Sequence, residues 1–329
     1  MQTLTQYEYL DRDAIMSGFA DWLVKESPML GAMPFKPIQG NSFKYNVSLT
    51  LPTASWLAIG DQIAESTGTY EQRSTDIYTM IQNAYTDKTA IALNSTQNPE
   101  AIDAALAAQA MAHQFEQTLI IGQTSTTSTS KQFKGLLRMI AEFESASTTD
   151  LDGVNNSQVI PAGATNGATS MTLIDQLLDQ IKPGKASCLL MSRLSRRRLN
   201  VLARASGTSG LLVVDSDLFG RKMTSYDEVP IYVSDFLPDN FPDNATSVAT
   251  ISTYNYSAAI STGNNLDNSY IFAMKFGERD VTGLNAGEMT HEREPFVEDY
   301  NAICNRYIWN CGMMCASKYS LAVLTGCVS

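Results

Sequence analysis

The residues in this chain best suited to chemistry are few, and they do not converge on a reaction. Cys304, Cys311, Cys315 and Cys327 crowd the C-terminal stretch, but the whole chain offers only His113 and His291 to complete a metal set. On a strand Cys311 and Cys315 project to one side, which suits small buried hydrophobes. His113 falls in a helical segment and His291 in the acidic phrase EMTHERE. Neither stands near a nucleophile elbow, because no Gly-X-Ser-X-Gly sequence occurs. The phrase KPGKAS resembles a phosphate loop only superficially. Asp179 stands where the pattern needs its first glycine, and Ala186 where it needs Ser or Thr. Arg193, Arg196, Arg197, Arg198 and Arg204 form the one basic concentration. It could be a solvated helix face, pair with acidic groups of a neighbouring subunit, or touch phosphate. No catalytic residue, cofactor or metal is expected.

The composition is that of a folded protein with 23 basic and 34 acidic residues, a net charge of −11. Residues 168–270 are nearly balanced and the remainder leans acidic. A sequence-specific nucleic-acid binder would carry a basic footprint, which is missing here. The opening MQTLTQYEYLDRD lacks the basic start and apolar core of a secretory signal, and no apolar run approaches membrane-spanning length. Five cysteines, an odd number, point to reduced thiols in a cytosolic setting.

The elements that would position these residues can be read in order. Residues 11–25 suit an amphipathic helix with Ile15, Phe19, Trp22 and Leu23 on one face, followed by the Pro- and Gly-rich PMLGAMPFKPIQGN. Phe43, Tyr45, Val47, Leu49 and Leu51 then alternate with polar residues, predicting a strand. After a polar tip, a second partly alternating run passes through Ile77, Tyr78, Met80, Ile81 and Tyr85. Two long ribbons joined by such a tip cannot bury themselves, so the arm makes sense lying on another copy of the chain.

Asn98 is a good N-cap, Pro99 suits the first helical position, and Gly122 supplies a stop. Together they predict a helix of about 34 Å. Ile102, Leu106 and Ala110 would form one stripe on it; Met111, Phe115 and Leu119 would form an adjacent one. A Ser/Thr tract and the apolar FKGLLRMI follow. Residues 168–270 read as an α/β unit. Its first helix is expected to start at a Thr172/Asp175 capping box and stop at Pro183-Gly184, and its second is capped by Ser192. Strands are expected near 186–191, 211–214, 222–226 and 229–233, then in YIFAMKF, IWNCGMMCA and YSLAVLTG.

This order resembles the major capsid proteins of tailed bacteriophages, the HK97-like fold. The resemblance is carried by MPFKPIQGNSFKY, LTLPTASW, LIIGQ with FKGLLRMI, LFGRKMTSYDEVPIYVSD, IFAMKFGERDVTGLNAG and CNRYIWNCGMMCASKYSLAVLTG. It implies an α+β chain with an N-terminal arm at 1–40 and an extended loop (E-loop) at 41–90. A peripheral domain would take 91–167 and 271–329, including a spine helix at 99–121, with an inserted axial domain at 168–270. It further implies a non-enzymatic virion protein, assembled in the host cytoplasm as pentamers and hexamers around double-stranded DNA. A scaffolding protein, a portal and a cement protein would be its partners, and no membrane is involved. Some relatives crosslink a loop lysine to an asparagine, but residues 58–70 hold no lysine, so crosslinking is not expected. Expected assembly contacts are Trp22, Phe35, Trp56, Asp61, Glu65, Glu71, Arg73, Arg193, Arg196, Arg197 and Arg198. Two alternatives stand beside this reading. One is an encapsulin-like nanocompartment shell; the other is a monomeric ligand-binding protein or hydrolase with a long lid loop.

Overall fold

A computed structural model of the chain describes residues 28–60, 62, 65–93, 98–122, 131–143, 151, 153, 156–163, 167–205, 212–216, 222–239, 241, 268–298 and 300–328. The helix expected at 11–25, with Trp22, lies outside these residues, as does Asp61.

The longest helix follows local capping chemistry. Helices α1 (Met29–Ala32) and α2 (Lys88–Leu93) precede α3 (Pro99–Ile121). The Asn98 side chain accepts from the Glu100 amide at 3.1 Å, and Pro99 loses nothing at a position whose N–H has no helical partner. At the other end the Gly122 amide bonds the Thr118 carbonyl. A Cβ on Gly122 would sit 2.4 Å from the Phe133 carbonyl, so only glycine lets the chain fold back there. The buried stripe includes Ala107, Met111, Phe115, Leu119 and Ile120. The predicted Ile102–Leu106–Ala110 stripe is corrected: Ile102 and Leu106 are half-buried and Ala110 is exposed.

Two sheets flank this helix. In the first, β14 (Ala302–Cys315) pairs along one edge with β4 (Tyr78–Asp87). Its other edge carries β12 (Val281–Asn285) and then β13 (Thr290–Glu294), with β1 (Phe35–Pro37) outside β12. Here the sequence reading needs correction. The run at 78–87 is not the returning ribbon of the arm; it is a body strand, paired with residues more than two hundred positions away. The strand that returns in the arm is the polar β3 (Thr69–Asp76), antiparallel to β2 (Ser42–Thr50).

The second sheet has eight strands. Its order is β5 (Val159–Pro161), β15 (Leu321–Val328), β11 (Ser269–Met274), β7 (Cys188–Met191), β10 (Val229–Val233), β9 (Lys222–Tyr226) and β8 (Leu212–Ser216), with β6 (Gly167–Ala168) also on β15. Period-2 geometry sends alternate side chains to opposite faces. Tyr270, Phe272 and Met274 of β11 enter the core beneath α3 and α4 (Leu136–Ala141). Ile271 and Ala273 enter a second core under α5 (Met171–Asp179) and α6 (Arg193–Ala205). β15 divides the same way, Leu321 and Val323 against Ala322 and Leu324. A strand apolar throughout needs cover on both faces. The sheet therefore runs across the boundary expected at residue 271 and takes in β15.

Two local details differ from expectation. Helix α5 is capped by Ser170, whose hydroxyl accepts from the Leu173 amide at 3.3 Å, not by Thr172. Asp175, the other half of the predicted box, instead accepts from the Tyr226 hydroxyl at 2.6 Å. Ser192 does cap α6, accepting from the Ser195 amide at 3.1 Å.

Candidate assembly interface

The hairpin β2–β3 has no core of its own. Nine residues at about 3.3 Å each carry it roughly 30 Å along β2. Most side chains of β3 are exposed; Thr75, near its root, is buried. Past the register shift at Ser48/Thr50, residues 51–60 are exposed without exception. Leu51 is 84 % exposed, while Trp56 and Ile59 are exposed completely. Transferring such side chains from water is worth about 1.5–3 kcal/mol each, so a tip carrying several of them is unfinished until something covers it.

The arm is held at its root by specific bonds. The Tyr45 hydroxyl donates to the Cys315 carbonyl at 3.3 Å. Arg73 Nη2 donates to the Phe143 carbonyl at 3.3 Å, while its guanidinium also bonds Glu71 at 3.2 and 3.3 Å. Between root and body lies a polar cavity of about 440 Å³, with Tyr45, Arg73, Lys134, Glu142 and Phe143 among its lining. Burial is the main influence on the Tyr45 hydroxyl and pushes its pKa up, so it stays a neutral donor.

The expected contact residues therefore separate. Trp56 and Glu65 lie exposed on the arm, with Ile59 and Leu51 beside Trp56. Glu71 and Arg73 pair with each other, and Arg73 fixes the root. Phe35 differs from these: it is a half-buried side chain packed on its own chain's core. Its ring lies 5.9 Å from Phe115 and 5.6 Å from Trp309. It stands opposite Gly283, where a Cβ would meet the Phe35 ring at 2.5 Å.

The arginines of α6 divide likewise. Arg193 pairs with Asp235, and Arg198 donates to the Cys327 carbonyl at 3.0 Å and to Ser269 Oγ at 3.3 Å. These two fasten α6 to its own subunit. Arg196 and Arg197 are exposed. Arg197 rims an apolar groove of about 520 Å³ with Leu194, Val201, Leu202 and Val328. Sequence reasoning passed over Met289, Phe296 and Tyr300, which are exposed around the solvent-facing strand β13. They occur singly, with no periodicity to draw attention.

Among the described residues no group of three or more His, Cys, Asp or Glu could hold a metal ion. Burial pushes the Cys311 thiol up to about 12, and Cys188 and Cys315 higher still, so these sulfurs are inert core groups. No described helix is long and apolar enough to cross a membrane. The features that stand out are surfaces that want a partner chain.

Comparison with known proteins decides what kind of partner. The sequence pattern of the major capsid protein GP7 family matches residues 11–183, just over half the chain. This chain belongs to that family. It is a non-enzymatic structural protein of the virion, a component of an oligomeric icosahedral capsid shell. Among curated proteins, none matches the sequence. Solved structures with the same fold include the holo-SrpI encapsulin complex from Synechococcus elongatus PCC 7942, at 13 % identity and a TM-score of 0.65, covering 99 % of this chain and 96 % of that one. The capsid of a native GTA particle matches at 13 % identity and a TM-score of 0.61, covering 97 % and 96 %. A chain of Microbacterium phage Oxtober96 matches at 13 % identity and a TM-score of 0.59, covering 98 % of each. At such identities these likenesses speak for the HK97-like fold. In that frame β2–β3 with its tip is the E-loop and α3 the spine helix of this capsid protein.

Proposed function

We propose that this capsid protein forms pentamers and hexamers that close into a shell around double-stranded DNA, with each E-loop laid across a neighbouring copy. The observation that carries this reading is the E-loop itself: an arm with polar bonds at its root and Trp56 and Ile59 wholly in water at its end. Such an arm gains its burial energy only on another subunit. An interface of wrapped arms would exceed the standard size class and needs no covalent link. Residues 41–90 would act as the contact arm behind an N-terminal arm at 1–40. Residues 91–167 and 271–329 would form the peripheral domain. Residues 168–270 would gather around the symmetry axes as the axial domain, with their sheet continued by β11 and β15. Exposed Arg196 and Arg197 would meet acidic groups of the next subunit, since the rest of the chain is acidic. The acidic balance also suits a shell that encloses DNA with weak, non-specific contact. Assembly would take place in the host cytoplasm with a scaffolding protein and a portal, and a cement protein would reinforce the shell.

The test is to replace residues 51–68 by an Asn-Gly turn, which suits a hairpin of this twist. The expected outcome is a folded subunit that forms no closed particles under electron microscopy with any of its assembly partners. Normal particles from this variant would contradict the reading. Wild-type particles filled with a single enzyme instead of nucleic acid would move the cargo assignment to a nanocompartment.

A further inference from the structure

Glu116 lies on the inner side of the spine helix α3, between Phe115 and Gln117, and is completely buried. Among the described residues neither of its carboxylate oxygens has a hydrogen-bond partner. A buried ionised carboxylate in that condition would be among the most costly groups in the molecule. The groups directed at it are the Ser234 hydroxyl and the Met29 backbone amide, and neither closes a hydrogen bond. Glu116 thus sits where three pieces of chain meet. These are the spine helix, the helix α1, and the 234–239 segment that leaves β10. Met29 is wholly buried at this junction, and Phe236 of the third piece packs its ring 5.0 Å from His113, one helical turn before Glu116.

The ionisable groups on the packed elements have other engagements or carry no bond to this carboxylate. Helix α1 (MLGA) has none. On the 234–239 segment Asp235 pairs with Arg193, and Asp239 accepts from Ser192 and Ser269. Arg138 of α4 pairs with Glu142, and Lys88 of α2 lies over Phe296. Tyr78, Tyr85 and Asp87 of β4 and Cys304, Arg306, Tyr307, Cys311 and Cys315 of β14 are the remaining ionisable groups of these two strands, and none bonds Glu116.

We propose that Glu116 is a proton-operated latch: neutral, it lets the Met29 segment and the 234–239 segment close on the spine helix, and ionised, it drives that junction open to water. The sign follows from burial, the largest influence, which pushes the Glu116 carboxyl up to about 7. The closed junction keeps a proton that the open one releases. Closure therefore weakens as pH rises from the ordinary carboxylate range through about 7. This inference does not depend on which cargo the shell holds, and it reads out in the subunit itself.

The experiment is hydrogen–deuterium exchange of the full chain, corrected for intrinsic exchange, between about pH 5.5 and about pH 8.5. In the wild type, opening of residues 28–37 and 234–239 is expected to rise roughly 30-fold across that range, the change set by moving one carboxyl between about 7 and its ordinary value. Glu116→Gln is expected to give a flat profile at these segments, with the rest of the molecule unchanged. If the Gln variant does not fold, Glu116→Leu takes its place with the same expectation. A flat wild-type profile overturns the proposal whatever the variants do, and so does a variant that keeps the rise.

Discussion

The E-loop hairpin and strand β11 are both sheet, yet they are stabilised in opposite ways. Every side chain of β11 is buried, alternating between two cores, so its backbone pairing is reinforced from both faces. The hairpin has its backbone pairing, a few side-chain bonds and an anchored root, and its tip is uncovered among the described residues. An isolated pair of strands is marginal in water. The comparison separates two kinds of strand: the body strand is covered on both faces within its own chain, and the E-loop tip leaves Trp56 and Ile59 in water.

Substitutions should separate the two regions. On the E-loop side the effect is expected on assembly only, repeated at every contact of the shell. Trp56→Ala should weaken each inter-subunit contact about 30-fold, as for a central hot-spot side chain, while shifting subunit stability by less than about 0.5 kcal/mol. Light scattering on assembling particles and urea unfolding of free subunits check the two halves. A stability loss matching the assembly loss would erase the distinction. In the body, Phe115→Ala should cost about 3–5 kcal/mol in urea unfolding, because Phe115 is fully buried against Phe35, Phe133 and Trp309.

A smaller body effect is expected for Thr86→Val. It removes a buried hydroxyl that donates to Asp103 Oδ2 at 2.7 Å between β4 and α3, and should cost about 1–3 kcal/mol by the same measurement. Smallest is Glu100→Gln. The Arg293 guanidinium, bonded at 2.6 and 3.1 Å, holds the Glu100 carboxyl below the usual carboxylate range, with the Asn305 amide adding to it. That contribution is present above the ordinary carboxylate range and is lost as pH falls through the lowered native value. Urea midpoints of variant and wild type should therefore differ modestly at neutral pH and converge in acid. A gap that widens in acid would reverse the sign of the argument.

How much of this was legible in the residues depended on how local the deciding physics is. The bounds of α3 were, because Asn98, Pro99 and Gly122 act through bonds to their immediate neighbours. Strands β11 and β15 and the second half of β14 were, because YIFAMKF, YSLAVLTG and IWNCGMMCA are largely apolar, whereas β12 and the polar β13 were not. The partner of β4 was not. Alternation at 78–87 fits a hairpin as well as a body strand, and the register with 302–311 is a long-range choice. The true returning strand, TYEQRSTD, is polar on both faces and gives no pattern to read. Phe35 was read as an assembly contact, and its seat opposite Gly283 in its own chain is a long-range pairing that no local pattern displays. Trp56 was a candidate contact in the residues, and it stands wholly exposed at the tip. Glu116 was invisible, since a glutamate between Phe115 and Gln117 reads as a solvent-facing turn of helix.

The central claim is that the E-loop tip is covered by another copy of the chain. Hydroxyl-radical footprinting of Trp56 and Ile59, in dissociated subunits and in intact shells, tests it most directly. The account predicts that both residues react freely in subunits and become several-fold protected in shells, while residues around β13 act as an internal comparison. Equal reactivity in the two states would mean that the tip stays in water after assembly, and would contradict the account.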